Sequence, residues 1–358
     1  MRIMHVLNHT RRLNGNVHAA VDLACAQVKL GHTVCMASGG GDFDGLLARN
    51  RVETFFVDQQ RKPLTVLKSL WALRRLIRDW KPDIVHAHMM TSAVLSVPAC
   101  RLSSTPLITT VHNAFEKSAV LMGLGTCVIA VSQAVGKSMQ ERGIAASKLH
   151  VVLNGTIGSA RFEGRDRTPA SLRSPSILFV GGLHPRKGLP DLLEAFRLAH
   201  KEYPDSHLYI AGGGPFEAAY RQLANETGSA NAITFVGAID EPFPYMLGAD
   251  IFVLPSHADP APLVLSEARE AACAVIGTEV DGIPQLLGFG EAGVLVPPRD
   301  PQALAAVLCD LLADPERLDM WKGRSQLHIN NLTIERVARE TLSVYKSALS
   351  PGAEVVPA

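Results

Sequence analysis

Apolar runs of four or five residues alternate along the chain with longer stretches in which apolar positions recur every third or fourth residue. Ile3–Leu7, Thr33–Ala37, Ile84–His88, Leu107–Val111 and Cys127–Val131 read as strands buried on both faces. Between them, Val17 to Leu30, Leu64–Trp80 and the residues after Ser132 read as helices. Such alternation predicts a parallel sheet with crossover helices. A polar stretch from Ser159 to Ser176, with Gly164, Pro169, Pro175 and four arginines, interrupts the rhythm. It then restarts with strands at Ile177–Val180, Leu208–Ile210, Ile233–Val236 and Ile251–Leu254 and helices at Pro190–His200 and Glu217–Glu226. A last helical pattern runs from Ile334 to Leu349 with Val337, Leu342, Val344 and Tyr345 among its apolar positions. The pattern predicts an α/β protein of two doubly wound, Rossmann-like domains at 1–160 and 176–333. It adds a linker at 161–175, a closing helix at 334–350 and a disordered tail at 351–358.

A chain of 358 residues with 47% hydrophobic content can fill two such cores. Its six cysteines form no CxxC pair and no metal-like spacing, which favours a reduced, cytoplasmic setting. The first apolar stretch is too short for a secretory signal and reads as a buried first strand, so the chain is expected to start inside its domain. Ser118 to Val135 carries no charge, but Gly123, Gly125, Thr126, Ser132 and Gln133 divide it into a helix end, a strand and a new helix start. A membrane span is not expected there. The net charge of +1 hides an asymmetry: residues 1–160 hold 18 Lys and Arg against 9 Asp and Glu, and the remainder holds 17 against 25. The basic half points to an anionic acceptor or surface. No nucleic-acid partner is expected.

The chemistry concentrates at predicted strand ends. After Ile251–Leu254, a short loop carries Asp259, and Glu267 follows eight residues later in a helix that resumes near Leu263. Ligands of open α/β sheets bind outside carboxyl strand ends. There, one carboxylate can accept hydrogen bonds from sugar hydroxyls and the other can reach ribose hydroxyls, a pairing that points to a sugar nucleotide. Strand Ile177–Val180 runs into Gly181-Gly182-Leu183-His184-Pro185-Arg186-Lys187-Gly188. Glycine lets backbone approach a ligand, and the adjacent cations Arg186 and Lys187 can neutralise a diphosphate leaving group. The first strand-to-helix loop, Asn8 to Val17, contains Gly15 but no GxGxxG, which disfavours a nicotinamide dehydrogenase. His86-Ala87-His88 puts two imidazoles on one strand face with no third ligand visible. Asp42-Phe43-Asp44 falls in a glycine-flanked turn.

Taken together, these segments resemble the retaining glycosyltransferases of family 4, two-domain GT-B enzymes, over nearly the whole length. Those enzymes carry Glu-x7-Glu where this chain has Asp259 and Glu267, so the first carboxylate is one methylene shorter here. The resemblance implies two domains facing a cleft, an acceptor-binding first domain, a nucleotide-sugar-binding second domain and a last helix that returns to the first. It implies that Asp259, Ala261, Leu263, Val264 and Glu267 hold the donor's sugar and nucleotide. Gly15, Arg186 and Lys187 would meet its diphosphate, with Asn16 replacing the second glycine of the family's first loop. His112, after strand Leu107–Val111, matches a family histidine facing the anomeric centre or a sugar hydroxyl. With Asp259 it completes the catalytic set. No metal or other cofactor is required, since cationic residues take the metal's place in this fold. The implied reaction moves a sugar from a nucleotide diphosphate donor to a hydroxyl acceptor, in cell-surface lipopolysaccharide or exopolysaccharide synthesis. A GT-B sugar-nucleotide epimerase and a catalytically silent GT-B binding protein remain open as alternatives.

The helix between Lys62 and Lys81 has two faces. Val66, Leu70, Leu73, Ile77 and Trp80 form a core stripe, while Lys68, Arg74, Arg75 and Arg78 surround Leu64, Leu67 and Trp71. Basic side chains around exposed leucine and tryptophan are the pattern of an interfacial helix on anionic lipid. A protein peripheral to the inner membrane face, with a lipid-linked glycan as acceptor, is the corresponding expectation.

Overall fold

The computed structural model describes residues 1–12 and 14–350. The tail expected to be disordered, 351–358, lies outside them. The chain begins with β1 (Arg2–Val6), α1 (Gly15–Lys29), β2 (Thr33–Ser38), α2 (Asp44–Arg49), β3 (Glu53–Phe56) and α3 (Pro63–Trp80). It continues with β4 (Ile84–Ala87), α4 (Met90–Ser103), β5 (Leu107–Val111), β6 (Cys127–Ala130), α5 (Gln133–Glu141) and β7 (Leu149–Val151). The second series is β8 (Ser176–Val180), α6 (Leu189–Glu202), β9 (His207–Ala211), α7 (Glu217–Glu226), β10 (Ile233–Gly237), α8 (Phe243–Gly248) and β11 (Ile251–Leu254). It ends with α9 (Leu263–Glu270), β12 (Ala274–Thr278), α10 (Ile283–Leu286), β13 (Val294–Val296), α11 (Pro301–Ala313) and α12 (Pro315–Arg324), before α13 (Ile334–Leu349).

Two compact units result. Unit 1 is Met1–Glu163 with the return from Leu332 onward, and unit 2 is Gly164–Asn331. The sheet of unit 1 has strand order β3-β2-β1-β4-β5-β6-β7, and that of unit 2 β10-β9-β8-β11-β12-β13, every pairing parallel. Both are doubly wound, each with its own reversal of strand order, at β1/β4 and at β8/β11. The central strands are buried on both faces because helices cover both.

Helix α13 belongs to unit 1 through its sequence period. Ile334, Val337, Ala338, Thr341, Leu342, Val344, Tyr345 and Ala348 are buried at helical spacing, and all but Thr341 join α1 in one apolar cluster. Thr333 caps the helix by accepting a hydrogen bond from the Arg336 N–H.

The segment expected as a linker at 161–175 is not a free connector. Arg161 is buried in unit 1, where its guanidinium makes two 2.8 Å bonds to Asp22, and Thr156 completes the cluster. A lone buried guanidinium would be untenable without such a partner. Beyond it the chain lies along unit 2: the Ala170 N–H donates to Pro244 O at 2.8 Å, and Ser174 Oγ to Asp250 at 2.7 Å. The uncharged stretch 118–135 becomes a 3-10 turn at Lys117–Leu124, strand β6 and the start of α5, capped by Ser132. Among the described residues no helix is long and apolar enough to cross a membrane. Helix α4 carries no amphipathic signal, because serines and alanines are buried along with its apolar residues.

Candidate functional site

In unit 2 the reversal of strand order lies between β8 and β11, the position where open sheets bind ligands. The loop after β8 passes against two neighbouring loops with no room for side chains. Gly188 has φ +66° and a Cβ there would lie 1.9 Å from Pro255 O; Gly212 has φ +145° and a Cβ would lie 1.9 Å from Gly181 O. Only glycine meets both demands. The loop turns through Pro185–Lys187, and its Arg186 carbonyl accepts from the His257 N–H at 2.7 Å. His257 Nε2 in turn lies 2.6 Å from Asp191 Oδ2.

This scaffold brings Lys187 Nζ to 2.5 Å from Asp259 Oδ2, with both side chains largely buried. Ser256 Oγ donates to the same carboxylate oxygen at 3.3 Å. The Asp259 backbone N–H donates to Asp281 Oδ2 at 2.7 Å, and the Asp259 carbonyl accepts from the Gly282 N–H at 3.2 Å. Burial, opposed by the backbone hydrogen bond from Asp259 and aided by its negative charge, raises the Asp281 carboxyl above the usual carboxylate range. The turn at Asp281 thus has a structural part in this corner. It is the second-loop support of Asp259, and neither Asp281 nor Ser256 carries a local sequence signal for that role.

Glu267 is buried on α9, Ala261 and Leu263 are buried at its approach, and Val264 is half-buried. The first N–H groups of a helix have no acceptor within it and form its positive end. Leu263 and Val264 contribute these groups in α9. Arg186 is exposed beside Lys187. Chemically, this corner offers an anchored ammonium, two buried carboxylates and a helix start, the groups needed to hold an anion next to a polyhydroxylated ring.

Unit 1 holds the other expected residues. Gly15 is the exposed first residue of α1, in ordinary helical backbone, and a Cβ there would meet nothing. Asn16, in the second place, lies in the same first turn of α1. Thr10 Oγ1 donates to Asp44 Oδ1 at 2.6 Å and the Arg12 N–H to Asp42 Oδ2 at 2.9 Å, so both acids of the Asp42–Asp44 turn fasten the first loop.

His112 follows β5 and is the last member of a buried imidazole series. His5 on β1 pairs in register with His86 on β4, supplying a third histidine that the spacing of His86 and His88 did not reveal. His5 Nδ1 lies 2.8 Å from His88 Nε2, and His88 Nδ1 lies 3.2 Å from His112 Nε2. At the inner end His5 Nε2 lies 2.8 Å from Gln27 Oε1, while Gln27 Nε2 donates to Tyr345 Oη at 3.2 Å. His86 bonds Tyr345 Oη and Thr110 Oγ1, each at 2.6 Å. Burial lowers His5 and His112 to about 4, and drives His86 and His88 well below the ordinary imidazole value, so all four are neutral at neutral pH. The buried Nδ1 of His112 has no partner. A sign was available in the sequence: histidines inside central strands that are otherwise apolar.

His5, His86 and His88 place ligand-type nitrogens within 4.8 Å of one another. All six nitrogens of these rings are nonetheless engaged with protein groups, so the cluster reads as a hydrogen-bonded series and not as converging lone pairs.

Residues 13–156 match the family described as Glycosyltransferase Family 4, and residues 174–314 match Glycosyl transferases group 1. Glycogen synthase of Mycobacterium tuberculosis is 28% identical over 292 residues, spanning 76% of this chain and 70% of that protein. Phosphatidyl-myo-inositol mannosyltransferase of the same organism is 28% identical over 311 residues, spanning 79% and 80%. The crystal structure of Anabaena Alr3699/HepE in complex with UDP and glucose superposes with a TM-score of 0.81 at 18% identity, covering 97% of this chain and 100% of that one.

Proposed function

Because the chain belongs to the family 4 glycosyltransferases and has their GT-B fold, we propose that it moves a sugar from a nucleotide diphosphate sugar to a hydroxyl acceptor with retention at the anomeric carbon. The observation that carries this reading is the Lys187–Asp259 pair at the strand-order reversal of unit 2, with Glu267 buried on the helix that follows. On binding, the donor's diphosphate takes up the Lys187 charge together with Arg186 and the amino end of α9, while Asp259 turns to the sugar and Glu267 to the ribose. As the bond from the anomeric carbon to the diphosphate breaks, negative charge grows on the leaving oxygen. Lys187 and Arg186 stabilise it there without reorganising. HepE was crystallised with UDP and glucose, which supports a nucleotide sugar as donor.

The acceptor reading rests on unit 1. Leu64, Leu67 and Trp71 are 74%, 64% and 64% exposed on α3. Lys68, Arg74, Arg75 and Arg78 are exposed among them, and Asp79 offsets part of that charge by pairing with Arg75 and Arg78. The 3-10 turn Lys117–Leu124 lies beyond the neighbouring α4 and exposes Val120, Leu121 and Leu124. Water-facing apolar groups within a basic field fit the interface of an anionic bilayer. The name of the mannosyltransferase specifies phosphatidyl-myo-inositol, a lipid, whereas glycogen synthase names a glucan. The apolar basic surface favours the first kind, a lipid-linked glycan at the cytoplasmic face of the membrane, in cell-surface glycan synthesis.

A thermal-shift panel of nucleotide sugars identifies the donor, since a ligand at 100 times its dissociation constant stabilises by about 2.7 kcal/mol. Transfer to glycolipid acceptors, with the product's anomeric configuration read by NMR, tests the rest. An inverted product refutes retention. Conversion of the donor into another sugar nucleotide without acceptor identifies an epimerase, and binding of the donor with no turnover identifies a silent binding protein.

A further inference from the structure

The imidazole series ends inside the protein on a group that can fix its direction. Gln27 donates its amide N–H to Tyr345 Oη, so its Oε1 is the atom turned to His5 and can only accept. His5 must then carry its proton on Nε2, leaving Nδ1 as an acceptor. That requires His88 to donate from Nε2, leaving its own Nδ1 as an acceptor for His112 Nε2. Tyr345 is free to donate to His86 Nδ1, and His86 Nε2–H to Thr110, so every ring nitrogen is satisfied in this one direction except the last. The last is His112 Nδ1, buried, with a lone pair and no partner.

We propose that Gln27, acting through His5 and His88, fixes His112 as the imidazole protonated on Nε2, so that its Nδ1 takes a hydrogen bond from a hydroxyl of the sugar substrate. This rests on the glycosyltransferase reading. It adds that the site tells a hydroxyl, which donates, from a group of similar size that can only accept. Gln27, His5 and His88 are positioning residues. Reversing the direction requires the Gln27 amide to turn over and all four imidazoles to change tautomer together, because any partial change sets two N–H groups or two lone pairs against each other.

The first test needs no substrate. Long-range proton–nitrogen correlation spectra of the protein labelled with 15N-histidine, with His112 assigned by loss of its signals in His112→Gln, are expected to show Nε2 protonated and Nδ1 bare. A protonated Nδ1 at His112 in the wild type overturns the proposal. In Gln27→Leu one buried N–H is left unpaired in either direction, on His5 Nε2 or on His112 Nδ1, so nothing fixes the series. His112 is then expected to show both tautomers. A folded Gln27→Leu protein with the wild-type tautomer overturns the role of Gln27. If that variant does not fold, Tyr345→Phe, which removes the acceptor that orients the amide, is expected to give a mixture of both tautomers, and a single unchanged tautomer counts against the proposal. The second test is calorimetry with UDP-glucose and its deoxyfluoro analogues. Wild type is expected to lose at least tenfold in affinity when one ring hydroxyl becomes fluorine, and Gln27→Leu to lose most of that discrimination. Equal tolerance of every fluoro analogue by wild type overturns the sugar contact. Failure to bind UDP-glucose at all counts against that donor, while the spectra still decide the tautomer.

Discussion

Lys187 Nζ lies 2.5 Å from Asp259 Oδ2, although the two residues come from loops on opposite sides of the strand-order reversal in unit 2. The pair is largely sheltered from water, so each residue is part of the other's folding environment as well as of the proposed donor site. Removing the lysine alone leaves a buried carboxylate with the Ser256 hydroxyl as its remaining side-chain donor. Lys187→Ala is therefore expected to reduce stability by about 3–5 kcal/mol and kcat/KM by about 10²–10³-fold. Adding Asp259→Asn should restore most of the stability and none of the turnover. Denaturation and kinetics on the four proteins of this cycle decide it, and additive stability losses would refute the coupling.

The two acids of the β11–α9 corner should separate by ligand. Glu267→Gln is expected to weaken binding of UDP itself by roughly 1.5–3 kcal/mol, the scale of a lost charged hydrogen bond. Asp259→Asn should leave UDP binding nearly unchanged and weaken UDP-glucose. Isothermal titration with both ligands measures the difference, and equal losses in both variants would show that the roles are shared.

The buried histidines make unit 1 sensitive to acid. Burial lowers the His5 and His112 values from 6.5 to about 4 in the folded protein, while the unfolded chain keeps the ordinary value. Between these limits the unfolded state binds more protons, so stability is complete above about pH 6.5 and declines as pH falls toward 4. One such site contributes on the order of 3 kcal/mol. Chemical denaturation from pH 7.5 down to pH 4.5, as round-number buffers of about those values, should show the loss, and His5→Gln or His88→Gln should flatten the slope. A flat wild-type profile would mean that the imidazoles gain compensating partners on protonation.

On anionic liposomes the chain should co-sediment at low salt and be released by high salt. Replacing Arg74, Arg75 and Arg78 with Gln should release it as well, at roughly 1 kcal/mol per basic residue near the surface. Trp71→Ser should weaken binding with little salt dependence, because it removes apolar contact and not charge. Equal sedimentation on neutral liposomes at high salt would argue for hydrophobic adsorption alone.

The central strands were legible because they are buried on both faces, which gives short runs such as Ile251–Leu254 and Leu107–Val111, while edge strands such as β3 and β7 were not. Helix α4 was not, since its buried serines and alanines produce no period, and Arg161 was read as linker because arginine rarely enters a core without a partner the sequence cannot locate. The candidate donor corner was suggested by Lys187 and Asp259, which follow strand ends, and by Glu267 on the helix after them. Its support from Asp281 depends on a crossing of loops 22 residues apart. His112 was visible by position. The series behind it depends on strand register, which joins His5 to His86 across 81 residues, and on Tyr345 from the far end of the chain.

The return of α13 to unit 1 also sets an order of events during synthesis. Its buried face completes the cluster around α1, and its Tyr345 closes the polar network beneath His112. Both wait for Ile334–Leu349 to leave the ribosome. Unit 2 is a single uninterrupted segment and can close while α13 is still being made. The first unit, although translated earlier, must hold its exposed α1 surface open for the time taken to make the intervening residues, on the order of ten to forty seconds at about 5–20 residues per second. Its maturation is therefore the later of the two, and a prematurely terminated chain has a finished second unit attached to a first that cannot order its histidines.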